Sequence, residues 1–166
     1  MKKYILPLSL LALTACSNVN QTLPEGKTNT FTTESKNIIL KGNEGTNTFN
    51  LAVENKSDSI IFINWSNAKV INKKDTFTGL YDLSNVNNNV WNQQENILKP
   101  NQTIVGKFAP LANLKISQNE AVDDYLKPYV WGSKDLDTKE DVNIEVPVYI
   151  GGFDGTLNVL KLNIKK

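Results

Sequence analysis

The sequence contains no histidine and no arginine, and Cys16 is its one cysteine. The absence of histidine excludes Ser-His-Asp and Cys-His nucleophilic catalysis and histidine-based zinc or iron sites. All 18 basic residues are lysines, against 17 acidic residues, and the net charge is +1. Nucleic-acid binding requires clustered positive charge and favours arginine for reading bases, so this composition predicts no nucleic-acid partner.

A membrane-spanning run is also missing at the N-terminus. The apolar run 4–12 contains Pro7 and is shorter than the roughly 20 residues that a bilayer span requires. Because Lys2 and Lys3 precede it, residues 1–15 are predicted to form a cleaved signal peptide.

The end of this segment, Leu13-Thr14-Ala15-Cys16, resembles the lipobox of bacterial lipoproteins. The resemblance implies cleavage before Cys16, attachment of a diacylglycerol to its thiol, and acylation of the new amino group. Two or more acyl chains give a stable anchor, whereas a single chain is marginal. In Gram-negative bacteria the next residue sorts such lipoproteins, and Ser17 implies the outer membrane. A free cysteine inside an ordinary secretory signal is the alternative.

The rest of the chain has the composition of one globular domain. Of 166 residues, 40% are hydrophobic and 21% are charged, which suffices for a packed core. Residues 16–36 are polar and rich in Thr and Asn, and predict a flexible tether with a root-mean-square span of roughly 25 Å. A first strand over 30–36 is equally compatible with the pattern. The folded domain is predicted to occupy 37–166.

Strand patterns recur along this domain. Eight segments show apolar alternation or short apolar runs between turn residues: 38–40, 48–54, 59–65, 69–72, 76–83, 102–109, 141–150 and 156–164. With no long amphipathic helix, they predict an all-β fold, an antiparallel two-sheet sandwich of about seven or eight strands with Ig-like or transthyretin-like topology. Trp65 is predicted to lie in the core. Pro147 predicts an edge position or a bulge, and the phase change between Val159 and Leu160 predicts another bulge.

The segment from Val53 to Trp65 resembles the opening of a group of small bacterial lipoproteins without an assigned activity, in which an Asn-Lys-Ser turn leads into a strand ending in Trp. Further agreement comes from Leu98-Lys99-Pro100-Asn101, from Trp131 and from Gly151-Gly152. The likeness covers about two-thirds of the chain. It implies the β-sandwich architecture and implies no activity.

The Asn-rich segment 84–96 is the candidate binding loop. Trp91 lies in it beside three asparagines: Asn88, Asn89 and Asn92. Loops on a rigid scaffold carry binding residues, and an indole ring among amides is suited to contacts with a ligand. The same ring could instead cap one end of the sandwich. A second aromatic group is predicted to hold the long segment 111–140 in place: Tyr125, Tyr129 and Trp131.

Little of the sequence points to catalysis. Ser66-Asn67-Ala68-Lys69 has the Ser-x-x-Lys spacing of penicillin-interacting enzymes, but it lies between two predicted strands and is interpreted as a turn. The acidic stretch 135–141 lacks the loop pattern of a calcium site and is interpreted as solvated surface.

Together these features predict a lipid-anchored, non-enzymatic protein of the cell envelope, with no catalytic residues, metal or cofactor. We expect it to act as a binding, structural or interaction module, in the periplasm or at the cell surface. Its partners would be the membrane, through Cys16, and an envelope protein or a glycan. The alternative is a carboxylate-dependent cell-wall glycan hydrolase, which requires two carboxyl groups facing each other across a cleft, about 5–10 Å apart.

Overall fold

A computed structural model describes residues 22–83, 96–113 and 139–166. These contain ten strands: β1 Phe31–Ser35, β2 Ile38–Glu44, β3 Phe49–Asn55, β4 Ile61–Ile63, β5 Lys69–Asn72, β6 Phe77–Asp82, β7 Asn96–Leu98, β8 Thr103–Pro110, β9 Val142–Ile150 and β10 Thr156–Ile164. Two 3-10 helices, Trp65–Asn67 and Leu111–Asn113, accompany them. The all-β antiparallel class is confirmed, with more strands than predicted. Within the described ranges no helix has the length and apolar character needed to span a bilayer.

The strands form one hydrogen-bonded sheet, in the order β1-β2-β3-β8-β6-β5-β9-β4-β7, with β10 also paired to β9. Strand β6 joins its two halves. Its first residues pair with β5, as in Phe77 opposite Ile71, and its last residues pair with β8, as in Asp82 opposite Phe108. The predicted division into two separate sheets is not confirmed, because β6 makes the sheet continuous; its two halves share a core.

The core lies between the two halves of the sheet. Alternation along β3 and β9 directs one side of each strand inward, and the inward side chains are buried in a single cluster with those of β2 and β10. The halves approach closely at Gly42, where a Cβ would lie 2.7 Å from side-chain atoms of Leu51 and Leu162. Trp65 is buried and its ring centroid lies 4.3 Å from that of Phe108, which confirms its predicted core position.

The folded domain begins before residue 37. Strand β1 pairs with β2 from Phe31 opposite Gly42 to Ser35 opposite Ile38. Before it, the Asn43 amide donates to the Pro24 carbonyl at 2.9 Å, and the Glu44 backbone N–H donates to the Thr28 hydroxyl at 3.0 Å. Of the two alternatives for residues 30–36, a flexible tether and a first strand, the structure shows the strand. The sequence pattern did not decide between the two alternatives, because β1 is half exposed and Thr-rich and its neighbours are held by polar contacts.

Pro147 lies neither on an edge strand nor at a bulge, and both predictions were wrong. Strand β9 pairs with β10 on one side, and with β5 and then β4 on the other. Pro147 falls between the β5 and β4 ladders, where its carbonyl accepts from the Asn64 backbone N–H at 3.0 Å. Because proline has no N–H to return this bond, the ladder ends here and the chain enters the 3-10 helix Trp65–Asn67.

The bulge predicted between Val159 and Leu160 is also absent. The β9–β10 register continues without interruption from Thr156 opposite Ile150 to Ile164 opposite Val142. The next inward position before Leu160 is Asn158, whose side-chain oxygen accepts from the Ser35 hydroxyl at 3.1 Å. The phase change in the sequence therefore reflects a polar residue on the inner side and apolar residues on the outer side.

Candidate functional site

The residues predicted from sequence to form sites lie outside the described ranges. They are the lipid-attachment residue and the loop residues: Cys16, Asn88, Asn89, Trp91 and Asn92. The aromatic group at 125–131 lies outside them as well. These assignments stay predictions, and the candidate site within the described ranges is one that the sequence did not predict.

The outer face is the side of β7, β4, β9 and β10, with β5 and β6 beside them, that is turned away from the core. Strand pairing places four apolar side chains in one row across it: Ile97, Phe62, Tyr149 and Leu157. We call these four the apolar row. Ile97 is 62% exposed and Leu157 is 52% exposed, so both ends of the row are open to solvent.

A glycine-rich turn extends the apolar row. The chain reverses between β9 and β10 through Gly151 and Gly152, whose φ values of +95° and +101° favour glycine. The turn places the Phe153 ring 4.0 Å, centroid to centroid, from Phe62, which is only 2% exposed although it points away from the core. Phe153 itself is 63% exposed and enlarges the apolar surface.

A charged row crosses the outer face further along the same strands. Glu145 lies opposite Lys69 on one side and Lys161 on the other, with oxygen–nitrogen distances of 3.1 and 3.0 Å. Partial burial raises the pKa of Glu145, but hydrogen bonds and charge attraction from Lys161 and Lys69 outweigh it, so the pKa is lowered. Glu145 is thus held as a carboxylate, which makes it a poor general acid.

A cavity of about 340 Å³ opens beside the charged row. Its lining includes Ser66, Lys69, Phe77, Glu145 and Pro147. The Lys69 ammonium pairs with Glu145 and also lies 5.7 Å from the Phe77 ring centroid. Ser66 lies on the short 3-10 helix and Lys69 on β5, so the pair does not share the α-helix that the catalytic Ser-x-x-Lys motif requires.

Three cavities within the described ranges bear on the hydrolase alternative. The cavities of about 480, 340 and 170 Å³ are each lined by one carboxylate, Glu25, Glu145 and Asp82 respectively. A glycosidase needs two across one cleft. None of these three cavities therefore supplies that arrangement.

Metal binding finds no support among the described residues, which contain no group of three or more potential ligands. Of the acidic stretch 135–141, the described part includes Asp141, which accepts from the Lys166 backbone N–H at 2.9 Å and lies 3.5 Å from the Lys73 ammonium. The hydrogen bond from Lys166 and the Lys73 charge lower the pKa of Asp141 despite some desolvation.

Sequence reasoning missed the outer face because it treated apolar residues as core. Tyr149 lies out of phase with the core positions of β9, and Leu157 lies out of phase with those of β10. Because these two apolar residues are on neighbouring strands, their phase could have been used to predict a second apolar surface. Their alignment depends on register, which single segments do not reveal.

Comparison with known proteins adds no assignment. No protein-family model matches the chain, and no curated protein and no solved structure matches it significantly.

Proposed function

We propose that this chain is a lipid-anchored, non-enzymatic protein of the bacterial cell envelope that works by binding through its outer face. The observation that carries the binding role is the apolar row, which leaves Ile97, Leu157 and the adjoining Phe153 more than half exposed. Contiguous exposed apolar surface of this kind on a monomer marks an interaction site. The paired lysines around Glu145 add polar groups to the same face.

The proposed anchor determines which end of the domain faces the membrane. Six residues, 16–21, separate the predicted cleavage site from Thr22, and a fully extended chain of that length reaches about 20 Å. Contacts of Pro24 and Thr28 with Asn43 and Glu44 hold the N-terminal segment at the end of β2. That end of the domain is therefore proposed to face the membrane. If the source is Gram-negative, Ser17 implies that this membrane is the outer membrane.

The apolar row lies toward the other end of the domain. Strand β9 begins at Val142 near the Glu44 end, and Tyr149 is seven residues further on, about 20 Å along the strand. The row is thus raised above the membrane on the side of the domain. This position favours a protein or glycan partner over the lipid surface.

Replacement of Cys16 by Ala tests the anchor. The unchanged protein should fractionate with membranes and carry the mass of a diacylglycerol and an additional acyl chain on Cys16. The Cys16→Ala protein should lack both modifications. Recovery of the unchanged protein without lipid, in the soluble fraction, would contradict the proposal.

Photo-crosslinking in intact cells tests the binding face. A crosslinking residue at Leu157, in the apolar row, should capture a partner in defined, discrete products. The matched control is Val105, a half-buried residue on the outer side of the opposite half of the sheet. Equal capture from both positions would remove the binding role of the outer face, and release of sugar products from purified cell walls would favour the hydrolase instead.

A further inference from the structure

We propose that the outer face binds a second copy of this chain in a two-fold symmetric dimer. The proposal deepens, and rests on, the proposed anchor and the binding role of this face. In such a dimer each copy contributes the same surface, so the face must be complementary to itself. Its two rows meet that condition in one arrangement.

The anchor selects the direction of the symmetry axis. Two sheet faces that pack against each other can be related by an axis along the strands or by one across them. An axis across the strands would place the two N-terminal segments at opposite ends of the dimer. An axis along the strands keeps both Glu44 ends on the same side, so that both copies can be anchored in one membrane.

The position of the axis follows from strand pairing. Both β4 and β5 pair with the same edge of β9, one after the other along its length. A line along this edge therefore has Phe62 and Lys69 on one side and Tyr149 and Glu145 on the other. A two-fold axis along this line places the Phe153 ring, which covers Phe62, against Tyr149 of the second copy. It places Lys69 against Glu145 of the second copy.

The same axis brings the exposed ends of the apolar row together. Ile97 is one strand outside Phe62, and Leu157 is one strand outside Tyr149. Rotation about the axis therefore places Ile97 of each copy opposite Leu157 of the other. Apolar side chains meet apolar ones, and a lysine meets a carboxylate, without any like-charge pair at these positions.

The face is large enough for a stable contact. Strand β9 has nine residues and is about 30 Å long, and four neighbouring strands span about 20 Å, giving about 600 Å² in plan. A standard protein interface removes about 800 Å² of accessible surface per partner, and a pleated face has more accessible surface than its plan area. Anchoring in one membrane also raises the effective concentration of the second copy.

Charge substitution at Ile97 and Leu157 tests the arrangement. Ile97→Lys alone, or Leu157→Glu alone, should raise the dimer dissociation constant at least about 100-fold, because an unpaired charge enters the interface twice. The double substitution should restore dimerisation to within about threefold of the unchanged chain, since the introduced lysine of each copy then faces the introduced glutamate of the other. Within one chain the two positions are three strand spacings apart, about 14 Å, so they cannot pair with each other.

Sedimentation velocity of the full lipidated chain in detergent micelles measures these constants. Val105→Lys, on the opposite half of the sheet, is the control for an added charge and should leave the dimer unchanged. Circular dichroism and thermal unfolding check that each variant is folded, which is expected because Ile97 and Leu157 are exposed.

A monomeric unchanged chain would overturn the proposal, and so would failure of the double substitution to restore the dimer in folded protein. Both outcomes are independent of the anchor, which is read from the mass of the lipid on Cys16. If the lipid is present and the chain is monomeric, the dimer fails while the proposed anchor stands. If the charge exchange succeeds without lipid, the anchor fails while the dimer stands.

Discussion

Replacement of Asn55 by Ala should destabilise the domain by about 3 kcal/mol. Asn55 is fully buried at the end of β3. Its amide N–H groups donate to the carbonyls of Ser59 at 2.8 Å and Leu98 at 3.1 Å. Its side-chain oxygen accepts from the backbone N–H and the hydroxyl of Ser57, at 3.0 and 2.6 Å. One side chain thus closes the turn before β4 and holds β7.

The expected loss of unfolding free energy is the sum of the costs of the hydrogen bonds that Asn55→Ala removes. The Leu98 carbonyl would lose a buried hydrogen bond, which costs about 0.5–1.5 kcal/mol. The Ser59 carbonyl and the Ser57 groups lie nearer to solvent, so water replaces part of their bonding and each loss costs about 0.5–1 kcal/mol. Asn64→Ala is the matched control, because its side chain makes one exposed bond, to the Asn67 N–H at 3.2 Å, and should cost about 1 kcal/mol.

Urea unfolding of the full chain, followed by circular dichroism, gives both differences in unfolding free energy. Asn55→Asp separates the two roles of the amide: it keeps the acceptor for Ser57 and replaces the donor by an oxygen that faces two carbonyls. This variant should be at least as unstable as Asn55→Ala. A loss for Asn55→Ala no larger than that for Asn64→Ala would refute the reasoning.

Two further predictions concern the outer face. Gly155→Ala should lower the free energy of unfolding by about 3 kcal/mol, because its Cβ would lie 2.0 Å from the Ile150 carbonyl oxygen. Gly152→Ala should lower it by about 1 kcal/mol, from its positive φ alone. Thermal unfolding of both variants measures the difference, and equal losses of stability would contradict the prediction. The pKa of Glu145 is lowered from its ordinary value of 4.5, so the paired carboxylate stabilises the fold at pH values above 4.5. This contribution is lost as the pH falls through the lowered pKa of the folded state. Glu145→Gln should therefore flatten the decline of unfolding free energy in acid, and an unchanged pH profile would exclude this role.

The prediction of strands succeeded where a segment carried its own apolar pattern. The expected segments 69–72 and 156–164 coincide with β5 and β10, and 141–150 differs from β9 by one residue. Alternation with period two is a local property, because it follows from the geometry of a single strand. Strand β7 was missed and β1 was only one of two alternatives, because both are at ends of the strand order, where few positions must be apolar.

The candidate site was less accessible to sequence reasoning. The sequence supplied Phe62, Tyr149 and Leu157 as separate residues, each of which could have been core. Only pairing of β4, β9 and β10 aligns them in one row, and only the turn through Phe153 covers Phe62 from outside. Residues on three strands become neighbours through register, and register depends on contacts between distant segments.

The sequence by itself determined the all-β class, the core position of Trp65, the exclusion of histidine chemistry and the expectation of a lipid anchor. These depend on composition and on patterns within one short segment. Tertiary structure alone decided the joining of both halves through β6, the place of Pro147 between two ladders, and the charged and apolar rows of the outer face. The physical reason is that hydrogen-bonded pairing fixes which side chains face each other, and that pairing is a property of the whole fold.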